Sequence, residues 1–482
     1  MKPITRRTFV SCAGQCSAAL ATATMLGPSR LARGQSANDQ VRVAILGTGG
    51  KGTQHVGNFS AVPGVKVVTV CDADRDRAAA AAKKHEALKL ETETDLRRVL
   101  DRKDIDAVCI ATPNHWHALA TVWACEAGKD VYVEKPVAHD IWQGQQMIAA
   151  ARRHDRIVQA GTQRRSDPGW KQAIQTIHSG EFGRILRVRL PFYSLRQSIG
   201  HVDAPQAPPS SVDYNLWAGP APMSPIMRKR FHYDWHWFWE TGNGELGNNG
   251  PHILDLARWA IGADALPRSI VSAGGRYVWN DNGQTPNTHV VYYDYEPAPI
   301  IIEIRNLPKQ TGVRASDVMQ QLRAGVIIEC EGATFRGLNG GAFYDDKGER
   351  IRKVDGDNGR GHPANFIAAV RSRKRSDLNC EIAEGYLSTA LCLVGNISHR
   401  VGAAASTEKL NSPDKLFSDA VDRMVQHLQA NDVDVTKHPL TLGATLQIDP
   451  KAQRFINTPQ AESANALLRK SCRAPFVFPE TA

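Results

Sequence analysis

The sequence predicts an α/β protein: an N-terminal doubly wound parallel sheet, then a C-terminal α+β domain with a large open, mostly antiparallel sheet. Three observations carry this expectation. A short apolar strand, VRVAILG, runs directly into a turn at Gly47-x-Gly49-x-x-Gly52. From Val41 to about Gln163, strand-like and helix-like stretches alternate, and the strands are almost continuously apolar, as strands buried on both faces must be. Beyond Arg164 that rhythm gives way to longer alternating strands separated by Pro-, Ser- and Gly-rich stretches.

The glycine spacing has a physical reason. The first glycine permits the tight turn, the second lets the backbone approach a pyrophosphate, and the third lets helix and strand pack closely. Free N–H groups and the dipole at the helix start, over residues 52–60, then hold phosphates. A second strand, VKVVTVCD, ends in Asp72, twenty positions past Gly52. There a carboxylate can accept hydrogen bonds from both ribose hydroxyls and repel a 2′-phosphate. Together these features define a dinucleotide-binding Rossmann start.

The later elements follow in order. Helices are predicted over 73–85 and 95–100, then a buried strand in DAVCIATP, a helix over 116–127, the strand DVYVEKP, a helix over 142–153 and the strand RIVQAGTQ. After Arg164 come a helix over 169–179 and the strand ILRVRLPFY. The Pro/Ser-rich HVDAPQAPPSSVDY and a dense aromatic segment, Phe231 to Trp239, follow. SIVSAGGRYV, THVVYYDY, IIIEIRNL and GVIIECEG read as antiparallel strands, with GLNGGAFYDDKGER a hairpin or loop beside them. Helices over 364–373, 382–400 and 414–429 and a strand near 441–449 complete the chain. The predicted organisation is a signal segment (1–37), a dinucleotide-binding domain (38–163) and a substrate and oligomerisation domain (164–482). An open sheet leaves a face to be covered, which predicts a homo-oligomer.

The N-terminus predicts export. Thr5-Arg6-Arg7-Thr8-Phe9 precedes a weakly apolar, small-residue run and small-residue exit sites near 32–37. Charged start, modest apolar run and small exit make a signal segment, and the paired arginines resemble a twin-arginine signal. The expected partner is the twin-arginine export machinery and the expected location the periplasm. The apolar run is too short and too rich in Ala, Thr and Ser for a stable membrane span. The chain carries a net +10, but residues 1–37 hold five basic residues and no acids. The remainder is near +5, so the basic balance does not point to nucleic acid. Two of the nine cysteines, Cys12 and Cys16, lie in that segment. The other seven show neither disulfide nor zinc spacing, and no metal site is expected.

Four segments fall at carboxyl ends of the predicted parallel strands, where ligands bind in open α/β sheets: the glycine turn, Thr112 to His117, Glu134-Lys135-Pro136, and Thr162 to Arg165. The combination of GxGxxG, ATPNHWH, EKP and a later GNGELGNNGPHILD resembles the Gfo/Idh/MocA oxidoreductases, over essentially the whole mature chain. The twin-arginine start and DWHWFWETGNGELGNNGPH resemble exported members of that family. The resemblance implies bound NAD, with NADP possible, held tightly. It places cofactor contacts at Gly47, Thr48, Gly49, Gly50, Lys51, Gly52, Asp72, Thr112, Asn114, His117, Glu134, Lys135, Gln163 and Arg164. Arg75, three residues past Asp72, leaves room for a phosphate.

Two residues are expected to be catalytic. Lys135 follows a buried strand, and Pro136 holds its backbone extended. By resemblance its ammonium lies beside the nicotinamide and the substrate hydroxyl, where a cation stabilises a developing alkoxide; otherwise it reaches solvent, as most lysines do. His252, read as the start of a helix, can take the hydroxyl proton, or simply cap and pack. The family carries an Asp-x-x-x-His pair here. In this chain the partner is Asn248, which can orient an imidazole or bind a hydroxyl but cannot stabilise an imidazolium. Asn114 and His117 face the ribose or nicotinamide, or solvate their loop. One of Arg164 and Arg165 reaches the ligand while the other makes a surface ion pair. His232, Trp235 and His236, with Arg165, Asn248 and His252, are expected to bind substrate, because aromatic faces beside polar groups suit pyranose rings. His362 and Asn365 are weaker candidates for the same pocket.

The expected function is an exported NAD(P)-dependent oxidoreductase acting on a ring carbon of a sugar, glycoside or cyclic polyol. Two alternatives stand beside it. One is a glycoside-cleaving enzyme working by oxidation, elimination and addition, although its YPTH-type segment is absent. The other is a non-catalytic exported binding protein.

Overall fold

The computed structural model describes residues 40–405 and 414–480; the expected signal segment lies outside them. Six parallel strands, β1 (Val41–Leu46), β2 (Val65–Cys71), β3 (Glu91–Glu93), β4 (Ala107–Ile110), β5 (Asp130–Val133) and β6 (Val158–Ala160), form one sheet in the order β3-β2-β1-β4-β5-β6. Alternation along β1 builds both layers. Val43 and Ile45 pack with Val56 and Phe59 of helix Gly50–Ser60, and Ala44 and Leu46 face the opposite core. The strand order reverses between β1 and β4, so their carboxyl ends diverge and leave a crevice.

The second sheet has twelve strands. Its main path uses β7 (Ile185–Tyr193), β8 (Ser269–Gly275), β9 (Thr288–Asp294), β10 (Ile300–Arg305), β11 (Val326–Cys330), β12 (Thr334–Leu338), β13 (Gly340–Tyr344), β14 (Arg350–Asp355), β15 (Ala403–Ala405) and β16 (Leu440–Leu442). They lie in the order β14-β13-β12-β11-β7-β10-β9-β8-β16-β15, and Leu446–Asp449 and Arg454–Ile456 branch from β8. Among the described residues of this sheet, only β7 and β10 pair in parallel. Val188, Leu190, Ile300, Ile302 and Ile328 point to one face, against helices Gly244–Ile261 and Ile382–Arg400.

The opposite face is not bare. Helix Lys415–Gln429 lays Phe417, Val421, Met424 and Leu428 over Val290 and Ile301. Beside it the same face carries ion pairs between Arg187, Arg189 and Glu329 and between Arg423 and Glu303. The reason given above for a homo-oligomer, an uncovered sheet face, is removed only beneath this helix, while the ion-paired stretch stays partly exposed.

One strand is added, the hairpin expected beside the antiparallel strands is present, and one helix start moves. The edge strand β3 went unforeseen because Glu-Thr-Glu carries no apolar signal. GLNGGAFYDDKGER supplies β13 and the start of β14, a hairpin entered through Gly340 at φ +67°. His252 does not start its helix: the helix begins at Gly244 and continues through Pro251. Tertiary contacts fix the early turn, because buried Glu245 accepts two hydrogen bonds from Arg196, at 2.8 and 3.0 Å. Among the described residues no helix is long and apolar enough to cross a membrane, and no cluster of His, Cys, Asp or Glu could hold a metal ion.

The helix Gly244–Ile261 is tied to the first sheet by a buried ion pair. Arg165, just beyond β6, meets Asp255 through two hydrogen bonds of 2.8 and 3.0 Å, and Glu384 lies 3.3 Å away. Asp255 is only 1 % exposed, so removing its partner strands a charge in a poorly solvated site. Arg165→Ala is expected to destabilise the fold by about 3–5 kcal/mol, read as a lowered urea midpoint with unchanged slope. A change near zero would show that water reaches Asp255.

Candidate active site

A cavity of about 490 Å³ opens over the carboxyl ends of β1, β2, β4 and β5. The glycine turn forms one wall. Gly47 sits at φ +85°, and a Cβ there would lie 2.6 Å from the Ala111 carbonyl. A Cβ on Gly52 would come 1.7 Å from the Gly47 oxygen, whereas nothing crowds Gly50. The first turn of helix Gly50–Ser60 thus presents bare backbone N–H groups to the cavity, which is what a pyrophosphate needs.

Asp72 is fixed by its neighbours. Its Oδ2 accepts from the Thr48 backbone at 2.7 Å and the Thr48 hydroxyl at 2.9 Å, and its Oδ1 from the Asp74 backbone at 3.0 Å. Its lone pairs still border the cavity. The cation at this rim is Arg77, not Arg75, whose guanidinium is exposed beside Asp76. Two positions along the helix, about 200° around its axis, decide this: residue 77 faces back over Gly49, and residue 75 is exposed.

Lys135 and helix Gly244–Ile261 meet inside the cavity. The Lys135 Nζ donates to the Asn248 backbone carbonyl at 2.8 Å. Asn248 and His252, one helical turn apart, line the same space. Burial pushes the Lys135 ammonium below its usual range, against the opposing pull of Glu134 and Glu245. Burial, with Lys135, Arg164 and Lys51 nearby, holds His252 well below the usual imidazole range, so its ring is neutral at pH 7. Burial would raise the Glu134 carboxyl, but His55, Lys51 and Lys135 outweigh it and hold Glu134 at about 2. The His55 Nε2 donates to Glu134 at 2.8 Å, and Gln163 reaches the same oxygen at 3.4 Å.

His236 is a second imidazole on the cavity wall near Lys135. Its Nδ1 donates to the Tyr233 carbonyl at 2.6 Å, and burial, with Lys135 and Arg196 close, pushes it down to about 3. The bond to a carbonyl assigns the proton to Nδ1 and leaves Nε2 an acceptor. Three polar atoms at this cavity are buried without a protein partner: Thr112 Oγ1, Asn114 Nδ2 and His252 Nδ1. Orphaned atoms of this kind, beside a glycine turn and a ribose-ready carboxylate, fit a nicotinamide dinucleotide.

Several expected residues are engaged by the protein itself or lie outside the cavity. His117 borders the cavity, but its ring nitrogens lie on the backbone carbonyls of Pro136 (2.7 Å) and Thr112 (2.8 Å), so it clamps two loops. Arg165 is spent on Asp255, and Arg164 donates to the Leu338 carbonyl at 3.0 Å. His232 bonds Asp74 at 2.7 Å, which places it near the Asp72 end of the cavity, away from Lys135. Trp235 is 8 % exposed and packs with Trp217, Ile226 and Phe231, its ring 3.6 Å from His236. The aromatic segment is thus largely its own small core, with Tyr233 its exposed ring at the cavity. His362 is buried between the Ala160 carbonyl and Ser166, and Asn365 bridges Asp377 and Asn379; neither lines the cavity. His55, Arg77 and Tyr233 were not singled out from sequence. The available signal for His55 was its place three residues past Gly52, on the helix face turned to the sheet.

An NAD-binding Rossmann domain joined to a second α/β domain describes an oxidoreductase. Residues 41–162 match the family profile described as "Oxidoreductase family, NAD-binding Rossmann fold", and residues 194–310 the one described as "Oxidoreductase family, C-terminal alpha/beta domain". The chain belongs to the Gfo/Idh/MocA oxidoreductase family. It is 35 % identical over 169 residues to inositol 2-dehydrogenase of Salmonella paratyphi B, covering 35 % of this chain and 50 % of the relative. A glycosyl hydrolase family 109 protein of Saccharopolyspora erythraea is 30 % identical over 207 residues, or 38 % of this chain and 44 % of that one. The chain thus spans about half the length of these curated relatives, or less. Among solved structures, the WlbA dehydrogenase from Bordetella pertussis, in complex with NADH and UDP-GlcNAcA, shares the fold. Its TM-score is 0.54 at 21 % identity, over 73 % of this chain and 94 % of that one.

The Gly52 contact yields a direct test. Gly52→Ala must push helix Gly50–Ser60 off β1, and NAD affinity measured calorimetrically is expected to fall by about 100-fold or more, since misaligned amides forfeit charge-assisted hydrogen bonds. Unaltered affinity would place the pyrophosphate elsewhere.

Proposed function

We propose that this chain is an exported, NAD-dependent oxidoreductase that moves hydride between the nicotinamide and a ring carbon of a sugar, glycoside or cyclic polyol. One observation carries the reading: Lys135 of the nucleotide-binding half and His252 of the second half line the same cavity as the glycine turn. The inositol dehydrogenase and nucleotide-sugar complex among the relatives support the substrate class. Bound NAD supplies the hydride acceptor. Asp72 favours NAD over NADP by repelling a 2′-phosphate.

The residues divide the remaining work. Lysine carries three N–H donors; one is held by the Asn248 carbonyl, which aims the others at the cavity. They stabilise negative charge on the substrate oxygen as its proton leaves. His252, neutral at pH 7, accepts that proton. The His236 Nε2 and the Asn248 amide receive or donate hydrogen bonds to neighbouring hydroxyls. The Asp-to-Asn departure leaves His252 without a carboxylate, so no group nearby holds it protonated.

The match to a glycosyl hydrolase family 109 protein favours a second reading, transient oxidation of a glycoside followed by elimination, water addition and reduction. Product analysis with a panel of sugars, polyols and aryl glycosides decides between them. Oxidised sugar with stoichiometric NADH supports the first, and released aglycone without net NADH the second. For the first, Lys135→Met is expected to lower kcat by about 10²–10³-fold with NAD affinity retained. In the wild type kcat/KM should fall toward acid with a midpoint below 6.5, because His252 must be neutral, and toward base with a midpoint below 10.5, because Lys135 must be charged. An acid midpoint above 6.5, or an unchanged kcat in Lys135→Met, contradicts these assignments.

Export implies that the cofactor travels with the folded protein, since the periplasm offers no NAD pool to load it. Denatured periplasmic protein is expected to release about one nicotinamide dinucleotide per chain, on the single-site logic of the Rossmann crevice. Recovery of the protein only from the cytoplasm, or release of no nucleotide, opposes that part of the proposal.

A further inference from the structure

A second cavity, of about 280 Å³, lies behind the aromatic turn that walls the first. It is enclosed by the start of helix Ile141–Arg153, the Pro220–Pro222 stretch, the end of helix Ile382–Arg400 and the chain around Lys470. Trp235 and His236 face the first cavity, whereas Trp239 and Glu240, on the same turn, face this one.

Its polar groups are mostly donors. The Lys470 Nζ donates to the Trp239 carbonyl at 2.7 Å and lies 3.2 Å from the Nδ1 of buried His139. The His139 Nε2 lies 3.2 Å from the Gly242 carbonyl and 3.1 Å from the same lysine Nζ, so the ammonium sits against both ring nitrogens. Gln143 is 3 % exposed and borders the cavity with its Oε1 lacking any protein partner. Such a buried orphan asks for a ligand or water. At the rim, Arg400 stacks over Trp239 at 5.3 Å and forms no ion pair among the described residues. Arg469 lies over Trp142 at 4.0 Å on the other side. Glu240 is the one acid lining the space. Between the cations the wall is apolar, from Pro220, Ala221 and Leu467.

We propose that this cavity is a second binding site, separate from the dinucleotide cleft, for a small organic oxyanion, a sugar-sized molecule bearing a carboxylate or phosphate. The anionic group sits between Arg400 and Lys470, the Gln143 Oε1 accepts from a hydroxyl of the carbon body, and that body lies on Trp239 and the proline wall. Guanidinium and ammonium groups are the recurring donors for such anions, and among the described residues lining this space Arg400, Arg469 and Lys470 outnumber the single acid, Glu240. Burial pushes the Lys470 ammonium down and the nearby Asp140 carboxyl up; an anion over the lysine offsets the first shift by stabilising its charged form. Because one turn separates the two cavities, occupancy here bears on the position of His236 and Tyr233.

The test uses the full protein loaded with NAD, so that the glycine turn is already filled and cannot take up the probe. D-gluconate and inorganic phosphate are titrated calorimetrically at constant ionic strength, with sorbitol as the neutral control. Saturable binding of gluconate is expected, with none for sorbitol; phosphate binding alone would identify the anionic group, without the carbon body, as sufficient. Arg400→Gln and Gln143→Leu, neither in the redox machinery, are each expected to weaken gluconate binding by about tenfold, the scale of one hydrogen bond, while NAD affinity is kept. Arg400 lies at the exposed rim, so its replacement does not threaten folding even if that of Gln143 does. Absence of saturable binding by either anion, or binding that Arg400→Gln leaves untouched, overturns the proposal.

Discussion

The ammonium of Lys135 is the point on which the two halves of the molecule depend. A buried charge without partners costs several kcal/mol or more, and strand β5 carries this one into the floor of a cleft. It survives there because the helix Gly244–Ile261 brings the Asn248 carbonyl to 2.8 Å and Glu134 supplies a nearby negative charge. The contact therefore fixes where the second domain must sit. It also fixes where His252 must point, because Asn248 and His252 stand on the same helix one turn apart. Structural cohesion and the proposed chemistry use the same atom pair.

Other contacts reinforce that placement from both ends of the cavity. At the nucleotide end, the stretch between β7 and Trp239 is stitched to the first domain. The Arg75 amide donates to Ser211, the Asp213 amide donates to Ala73, and His232 bonds Asp74 at 2.7 Å. At the opposite end the Arg165–Asp255–Glu384 cluster anchors the same helix that carries His252. Beneath the floor, His55 and Gln163 hold the Glu134 carboxylate in place. A wall contributed by the second domain thus closes over a floor contributed by the first. Hydrogen bonds, and not apolar area alone, set the register between them.

What could be read from sequence was what depends on neighbours in the chain. The glycine turn, the Asp72 strand end, Lys135 after its buried strand and the Asn248–His252 spacing are all local patterns, and the structure gathers those residues around one cavity. The two sheets were legible for the same reason, since period-two and continuous apolar runs are local signals. What could not be read depends on distant partners. Arg165 looked free to reach a ligand until Asp255, ninety positions away, came into contact. His117 looked available until the Pro136 carbonyl met its ring. Trp235 belonged to an aromatic run that suits sugars and cores equally well, and only its packing on Trp217 and Phe231 distinguishes the two. The start of helix Gly244–Ile261 was hidden by glycines and Pro251, which argue against a helix locally but are overruled by the Arg196–Glu245 pair.

The replacement of an acid by Asn248 poses a problem of charge balance that the geometry itself answers. Burial first, and then Lys135, Arg164 and Lys51, lower the basicity of His252, and no carboxylate is among the groups acting on it. The same cations, however, lower the pKa of a hydroxyl bound beneath them. Proton transfer depends on the difference between the two pKa values, so only the imbalance between the effects matters. Charge–charge interaction falls inversely with distance. A substrate oxygen accepting directly from the Lys135 Nζ feels its charge at hydrogen-bond range, whereas His252 feels it through space across the cavity. On the proposed mechanism, Lys135 therefore acidifies the hydroxyl more than Lys135 itself weakens the imidazole, which works against the part of the His252 shift that burial adds. On this arrangement the lysine does the larger share of the electrostatic work, and the histidine serves as a neutral acceptor whose shortage of basicity the lysine offsets.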